Sequence, residues 1–144
     1  MNRQLIFDET VKHARHQGCK ATRLSGGSCA YRAPNGNRCF IGAHIPDSIY
    51  VPKMEGLDVH SILTSFPAVC EYFGITEQEL ISHNILSDKY LLQSLQRIHD
   101  LHAPTYWEEQ FKNVAAQFGL TYTPPLPVQP ESARADDVEL APAV

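Results

Sequence analysis

The spacing of apolar residues predicts helices along most of the chain up to residue 119. Apolar residues between Leu5 and Ala14 can share one stripe of a helix over residues 3–17, and Gly18 stands where a C-terminal cap belongs. Between residues 58 and 119 the apolar positions keep a helical spacing. The pattern therefore indicates a predominantly helical body.

Residues that favour helix N-termini divide the second half of the chain. Thr76 with Glu79, and Thr105 with Glu108, match the capping box, in which two side chains satisfy backbone N–H groups of the first turn. Other helix starts are expected at Asp58 and at Ser87 or Asp88. The last of these begins the longest helix of the chain.

Residues 29–42, with the sequence CAYRAPNGNRCFIG, have the pattern of a β-hairpin. Asn35-Gly36 tolerates the positive φ angles of a tight turn, and short apolar stretches flank it. We expect the tyrosine, the phenylalanine and the two cysteines to pack on the helices while the arginines face solvent. The predicted fold class is α+β: an α-rich single domain over residues 1–120, with four to five helices packed with one small β-hairpin.

The composition changes after residue 120. Residues 121–144 contain five of the ten prolines and carry a net charge of −3. Segments of this kind bury too little apolar surface to hold a fixed structure. We therefore predict a mobile, Pro-rich acidic tail at the C-terminus.

Composition indicates a soluble, cytoplasmic protein. Of the 144 residues, 43% are hydrophobic and 19% are charged, as is ordinary for a globular domain. No apolar run approaches the roughly 18 residues of a membrane helix, and acidic residues stand where a signal peptide would be apolar. The four cysteines fit no dense disulfide framework and are expected to be free thiols.

The net charge of −4 hides an uneven distribution. Residues 1–46 hold seven basic and two acidic residues, whereas residues 47–144 hold five basic and fourteen acidic ones. No acidic residue occurs between Glu9 and Asp47. The sequence thus predicts one basic and one acidic face on a single small body.

The sequence lacks the ligand spacing of a structural zinc site. Such a site needs about four Cys, His or carboxylate ligands and usually includes a close pair such as CxxC, which does not occur here. His99 and His102 share a helix face, as do His13 and His16, but two ligands do not suffice. We therefore expect no metal and no cofactor.

Direct binding of nucleic acid through the basic N-terminal third is the nearest alternative function. Tyr31 and Phe40 would stack on bases while neighbouring arginines contact phosphates. Against this, the remainder of the chain is acidic, whereas dedicated DNA-binding domains are more often basic overall.

A thiol- or metal-dependent enzyme around Cys29, Cys39 and His44 is a further alternative. A thiol nucleophile needs a cation to lower its pKa and a base to activate it. Arginines surround both cysteines in sequence and His44 follows closely. Free cysteine is commonly buried, however, and a packing role for both cysteines is the more frequent case.

The run C-A-Y-R, then N-G-N-R-C-F-I-G, I-P-D-S-I-Y and E-G, resembles a pattern in small, largely uncharacterised proteins of phages and prophages. The resemblance covers roughly residues 25–118 and includes a later segment similar to I-H-D-x-H…W. Small accessory phage proteins often bind and inhibit a host protein, including defence systems such as CRISPR complexes.

The resemblance implies a non-enzymatic accessory protein in the cytoplasm of a bacterial host. It would bind and modulate a host protein or nucleoprotein complex, for example as an anti-defence or anti-CRISPR inhibitor. A guanidinium pairs with either a carboxylate or a phosphate, so basic side chains suit such a partner. We assign partner binding to five residues of the N-terminal third: Lys20, Arg23, Tyr31, Arg32 and Arg38.

Overall fold

Residues 2–23 and 28–127 are described by the structure, a computed structural model, and they form six α-helices. The helices are α1 (Arg3–Gln17), α2 (Val59–Ser65), α3 (Pro67–Phe73), α4 (Glu77–Ile81), α5 (Asp88–Leu101) and α6 (Trp107–Phe118). Short 3-10 turns at Pro52–Met54 and Pro104–Tyr106 precede α2 and α6. The described part of the chain thus has more helices than the four to five predicted. None of these helices combines the length and the apolar character that crossing a lipid bilayer requires.

Local side-chain chemistry sets several helix ends where the sequence predicted them. Asp58 caps α2 by accepting the backbone N–H of Ser61 at 2.8 Å, and Thr76 caps α4 by accepting the N–H of Glu79 at 3.1 Å. Gly18 ends α1 in the left-handed conformation, with φ of +71°. The ends at Asp58 and Gly18 are confirmed, and so is the Thr76 half of the first capping box, whereas the Glu79 carboxylate instead accepts the N–H of Asp88 at 3.2 Å.

The capping box predicted for the last helix is wrong. α6 begins at Trp107, directly after a 3-10 turn, and no side chain caps it. The carboxylate of Glu108 instead binds the guanidinium of Arg15 in α1 through two hydrogen bonds of 2.8 and 2.9 Å. The acidic residue of the expected cap therefore joins α6 to α1.

α5 is the central helix of the core. It contacts α1, α2, α4 and α6, and the side chains of Leu91, Leu92 and Leu95 are fully buried. Burying one such side chain stabilises a fold by roughly 1.5–3 kcal/mol. The apolar residues of α5, which keep the helical spacing noted for residues 58–119, therefore connect the other helices of the core.

The irregular segment between α1 and α2 sends Phe40 into this core. Its ring is fully buried, and its centre lies 4.7 Å from that of Trp107, 5.2 Å from that of His99 and 5.5 Å from that of Phe111. Aromatic pairs of this kind add about 0.5–1.5 kcal/mol each beyond their buried area. Phe40 therefore anchors the segment against α5 and α6.

The predicted β-hairpin is wrong, and with it the α+β fold class. No β-strand occurs in residues 2–23 or 28–127, where β-type pairing is limited to one antiparallel bridge between Thr22 and Cys29. The chain does reverse at residues 33–36: Gly36 has φ of +93°, and its N–H donates to the carbonyl of Ala33 at 3.0 Å. The turn therefore forms without the strands.

Two backbone hydrogen bonds cross the turn, from Ala33 to Asn37 at 2.8 Å and from Cys39 to Ala30 at 3.2 Å, but distant side chains accept other N–H groups of this segment. The N–H groups of Tyr31 and Arg32 both donate to the carboxylate of Glu55 at 2.9 Å. The N–H of Ile41 donates to the side chain of Gln96 in α5 at 3.0 Å. Backbone N–H groups removed from water need a partner, and these long-range acceptors satisfy them in place of a neighbouring strand.

The first residues after α6 lie against the helices. The backbone N–H of Thr121 donates to the Gln4 side chain of α1 at 2.9 Å, and the Tyr122 hydroxyl donates to Glu108 at 2.6 Å. The segment predicted as a mobile tail thus begins with docked residues. Its remainder, residues 128–144, lies outside the described residues.

Candidate functional site

A cleft of about 750 Å³ opens between α5, the loop before α2 and the segment around residue 30. Its volume falls within the roughly 300–1,000 Å³ that is typical of ligand sites. The lining residues come from three stretches: 23 and 28–31, 56–59, and 93–101. The buried side chains of Tyr31 and Cys39 contribute to its floor.

One face of α5 forms a wall of this cleft. Gln93, Arg97 and Leu101 follow one another at four-residue intervals, with Gln96 and Asp100 beside them. Residues three and four positions apart lie on the same side of a helix, so these side chains face the cleft together. Gln96 is buried, whereas Arg97 is exposed and Leu101 is 66% exposed.

Gly56, Leu57 and Arg23 form the facing wall. The Tyr31 hydroxyl donates to the backbone carbonyl of Leu57 at 2.6 Å, which joins the floor to this wall. Gly56 has φ of +86°, and a Cβ atom there would lie 2.7 Å from Nη2 of Arg23. Because glycine lacks that atom, the guanidinium of Arg23 packs directly on the backbone.

Asp100 accepts hydrogen bonds from two neighbouring side chains. Its Oδ1 accepts from Nε2 of Gln96 at 2.8 Å and from Nδ1 of His99 at 2.9 Å, and the Cys29 sulfur lies within 4.8 Å of the same carboxylate. Burial alone would raise the pKa of Asp100, but its polar neighbours outweigh burial and hold the pKa below its ordinary value. Asp100 is therefore an ionised carboxylate that is bonded at one of its two oxygens.

Both ring nitrogens of His99 are engaged. Nε2 accepts the backbone N–H of Ala21 at 3.0 Å, which places the ring proton on Nδ1, where it is donated to Asp100. The ring has no exposed surface and stacks on Trp107 with 6.0 Å between centres. His99 therefore has no nitrogen free to act as a base.

The thiol of Cys29 is poorly suited to nucleophilic catalysis. Burial and the adjacent Asp100 raise its pKa to about 12, although the charge of Lys20 acts in the opposite direction. A reactive thiol needs surroundings that favour the thiolate. Here the nearest charge is a carboxylate, which favours the neutral thiol.

The same cluster also fits a metal ion poorly. One ligand atom each from Cys29, His99 and Asp100 lies within 4.8 Å of the others, close enough to share an ion. A metal at Nδ1 of His99 would require a proton on Nε2, yet Nε2 faces the N–H of Ala21, which is itself a donor. Metal-bound histidines normally donate their second N–H to an acceptor.

Two of the three residues of the predicted thiol site, Cys29 and Cys39, line the cleft, and His44 does not join them. Cys39 is buried, burial raises its pKa, and its sulfur accepts the N–H of Gly42 at 3.3 Å. His44 does not line the cleft. It shares a hydrogen bond of 2.7 Å with the Thr10 hydroxyl of α1, and burial lowers its pKa to about 4. His44 therefore supplies no base to Cys29.

Three of the predicted partner-binding residues lie at the cleft. Arg23 and Tyr31 line it, although Tyr31 is only 6% exposed and belongs to the floor. Lys20 is close by, with Nζ 3.4 Å from the backbone carbonyl of Asp100. The structure thus brings these residues together with α5, which is distant in sequence.

Arg32 and Arg38 lie away from the cleft and face Asp47. Their guanidinium nitrogens are 2.8 and 3.5 Å from the Asp47 carboxylate. Arg32 also lies 4.3 Å above the centre of the Tyr50 ring, at cation–π distance. Both side chains are partly covered, so they point less freely into solvent than expected for a hairpin end.

Acidic residues from the rest of the chain neutralise much of the basic N-terminal third. Besides the two contacts to Asp47, Arg3 pairs with Asp88 at 2.6 Å and Arg15 pairs with Glu108 at 2.8 Å. Four of the seven basic residues before residue 47 therefore have an acidic partner. The charge separation seen along the sequence is largely cancelled by folding.

Gln93 and Arg97 are cleft residues that the sequence did not single out. Neither side chain has a hydrogen-bonding partner among the described residues, so both are available to a ligand. Only their four-residue spacing in the sequence could have indicated that they share one face of α5. That indication is weak, because the exposed faces of most helices carry polar residues at such intervals.

Comparison with protein-family models, with curated proteins and with solved structures gives no match for this chain.

Proposed function

We propose that the protein is non-enzymatic and that it binds a host protein or nucleoprotein complex in a bacterial cytoplasm through the cleft, so modulating its partner. The resemblance of residues 25–118 to phage and prophage proteins supports the bacterial setting. Inhibition of a defence system such as a CRISPR complex is the kind of modulation that this setting favours.

One observation carries the proposal: two guanidiniums line the cleft and neither pairs with an acid among the described residues. The aspartates of the cleft bind elsewhere, since Asp100 accepts from Gln96 and His99 and Asp58 accepts the N–H of Ser61 at the start of α2. Within the described residues Arg97 pairs with no acid, and Nε of Arg23 is buried without a partner. A guanidinium offers five N–H donors and accepts none, so this cleft suits a ligand rich in acceptors.

Catalysis is the less favoured use of the same cleft. The thiol of Cys29 stays protonated beside Asp100, and His99 has both nitrogens engaged. Cys29 and His99 therefore do not form a catalytic pair of nucleophile and base. Binding a partner requires neither a nucleophile nor a base.

Direct binding of nucleic acid remains the alternative that the basic N-terminal third favours. A phosphate backbone requires several free cations in a row. Among the described basic residues before residue 47, the ones outside ion pairs are Lys12, Lys20 and Arg23. This small number supports a protein surface as the partner more than a duplex.

Affinity capture from a bacterial lysate tests the proposal with two variants, each of which reverses the charge of one side chain. Arg97→Glu reverses a charge in the cleft, and Lys112→Glu reverses an exposed charge on α6 outside it. Both positions are exposed on helices, so each change should alter the free energy of unfolding by no more than about 0.5 kcal/mol. We expect the wild type and Lys112→Glu to capture one or more lysate proteins that Arg97→Glu does not capture.

Equal recovery by all three proteins would contradict binding through the cleft. A mobility-shift assay with a DNA duplex of arbitrary sequence separates the alternative. Binding that weakens steeply with added salt would place the protein among nucleic-acid binders.

A further inference from the structure

We infer that the cleft recognises a carboxylate side chain of its partner, presented beside an aliphatic side chain in a short acidic–apolar peptide segment. The inference rests on the proposed function, because it names the chemical group that the cleft takes from a protein partner.

The donors that remain in the cleft define the charge of the ligand. They are the guanidiniums of Arg23 and Arg97 and the carboxamide of Gln93. A guanidinium binds a carboxylate through two parallel hydrogen bonds. Nε of Arg23 is already shielded from water and has no partner among the described residues. Because Nε is out of reach, an arriving carboxylate would bind the terminal nitrogens of the guanidinium, which carry the other four donors.

The acidic residues of the cleft distinguish a carboxylate from a phosphate. Asp58 and Asp100 both line it, and hydrogen bonds hold the pKa of each below its ordinary value, so both are charged at neutral pH. A phosphate monoester carries a charge of about −1.5 to −2, against −1 for a carboxylate. The two aspartates offset the two guanidiniums, so the cleft offers little net attraction to compensate for the larger cost of desolvating the more highly charged phosphate.

Apolar surface next to the donors defines the neighbour of the carboxylate. Leu57 and Val59 line the wall opposite α5, and Leu101 lines α5 itself. Leu101 is 66% exposed, so a large aliphatic side chain stands uncovered beside Arg97. Covering such surface removes apolar area from water and so favours binding. A partner segment gains most when an aliphatic residue adjoins its acidic one.

A random library of short displayed peptides, selected on the immobilised wild-type protein, tests the inference. We expect the enriched peptides to carry Asp or Glu next to Leu, Ile or Val. One such peptide is then synthesised with a fluorescent label and titrated by anisotropy. Loss of a charge-assisted hydrogen bond predicts a roughly 10- to 100-fold weaker Kd for Arg97→Glu. Lys112→Glu should bind the peptide with the Kd of the wild type. Circular dichroism checks that Lys112→Glu and Arg97→Glu have the same helical content.

The peptide itself supplies a reciprocal control. Replacing its acidic residue by the corresponding amide should weaken binding to the wild type by a similar factor, and replacing it by lysine should make the Arg97→Glu variant the tighter binder. Enriched peptides without acidic residues, or an unchanged Kd for Arg97→Glu, would overturn the inference. Displacement of the peptide by inorganic phosphate or by an oligonucleotide more readily than by a second acidic peptide would overturn it too.

The two proposals fail in different ways. If Arg97→Glu abolishes capture from the lysate while acidic peptides do not bind, the cleft is the binding site and its ligand is of another kind. If capture does not depend on Arg97, the proposed function itself is wrong.

Discussion

The backbone N–H of Ala21 donates to Nε2 of His99 at 3.0 Å, across 78 positions of sequence. This hydrogen bond fastens the segment after α1 to the last turn of α5 and sets the tautomer of the buried ring. It also directs the remaining ring proton to Asp100. Because this long-range contact occupies Nε2, His99 has a structural role beside the cleft and does not act there as a base.

Replacing His99 by leucine should therefore destabilise the fold. His99→Leu leaves the fully buried N–H of Ala21 without an acceptor and removes one donor from Asp100. An unsatisfied buried donor together with imperfect packing predicts a loss of roughly 2–4 kcal/mol in the free energy of unfolding. Urea unfolding followed by circular dichroism measures it.

The control for this variant is His16→Leu, at an exposed position of α1. It should change the free energy of unfolding by no more than about 0.5 kcal/mol. Equal stability of the two variants would mean that the contact between Ala21 and His99 contributes little.

The surroundings of Cys29 predict a slow thiol. With a pKa of about 12, roughly one thiol in 10⁴ is ionised at pH 8. Labelling with iodoacetamide, followed by peptide mass spectrometry, should modify the exposed Cys19 first and the buried Cys39 last. Asp100→Asn removes a carboxylate that favours the neutral thiol, so Cys29 should react several-fold faster in that variant while Cys19 is unaffected. A Cys29 that reacts faster than Cys19 in the wild type would contradict this account.

The buried ring of His44 predicts a loss of stability in mild acid. Burial lowers its pKa from 6.5 to about 4, so between these values the unfolded chain binds a proton that the folded protein does not. The free energy of unfolding should fall as the pH falls through this window, by roughly 2–4 kcal/mol in total, and this contribution should be fully present above pH 6.5. Urea midpoints measured from pH 7 to pH 4 report the slope.

His44→Gln separates this contribution from the carboxylates, which titrate in both proteins. Glutamine can keep a hydrogen bond to Thr10 but does not gain a proton, so its slope between pH 6.5 and 4 should be shallower than that of the wild type. His16→Gln, at an exposed position, should keep the wild-type slope. Identical slopes for His44→Gln and the wild type would show that His44 is not the group responsible.

Gly36 and Gly42, both in the irregular segment between α1 and α2, should differ sharply in how much a substitution by alanine destabilises the protein. A Cβ atom at Gly42 would overlap the backbone carbonyl oxygen of Tyr31, whereas none of the described atoms lies within 4 Å of one at Gly36. Gly42→Ala should therefore cost more than about 4 kcal/mol and lower the yield of folded protein. Gly36→Ala should cost about 1–2 kcal/mol, the strain of its φ of +93°. Thermal melting compares them, and equal Tm values would contradict the close approach of Gly42 to Tyr31.

The helices could be predicted from the sequence because their signals act over a few residues. A cap such as Asp58 reaches the N–H three positions ahead, and Gly18 relieves strain at its own position. The apolar stripe of α5 repeats every turn, so its buried face follows from spacing alone. The chain reversal at Gly36 is local in the same sense.

The hairpin and the charged face could not be predicted in this way, because distant residues decide them. Glu55 and Gln96 satisfy N–H groups of the turn segment that strands would otherwise pair. Asp88 and Glu108 pair with basic residues of α1 that are 85 and 93 positions away. Sequence patterns indicate which structure a segment can form. Which distant residues bind its N–H groups and charged side chains depends on how the chain folds.

By itself, then, the sequence determined where most helices begin and end, that α5 buries the apolar stripe of Leu91, Leu92, Leu95 and Ile98, and where the chain turns at Gly36. Only the tertiary structure decided the cleft, in which Arg23 and Cys29 meet Arg97 and Asp100 from the far end of α5. The reason is physical: helix signals act between residues a few positions apart, whereas a cleft depends on which helix faces the chain packs together.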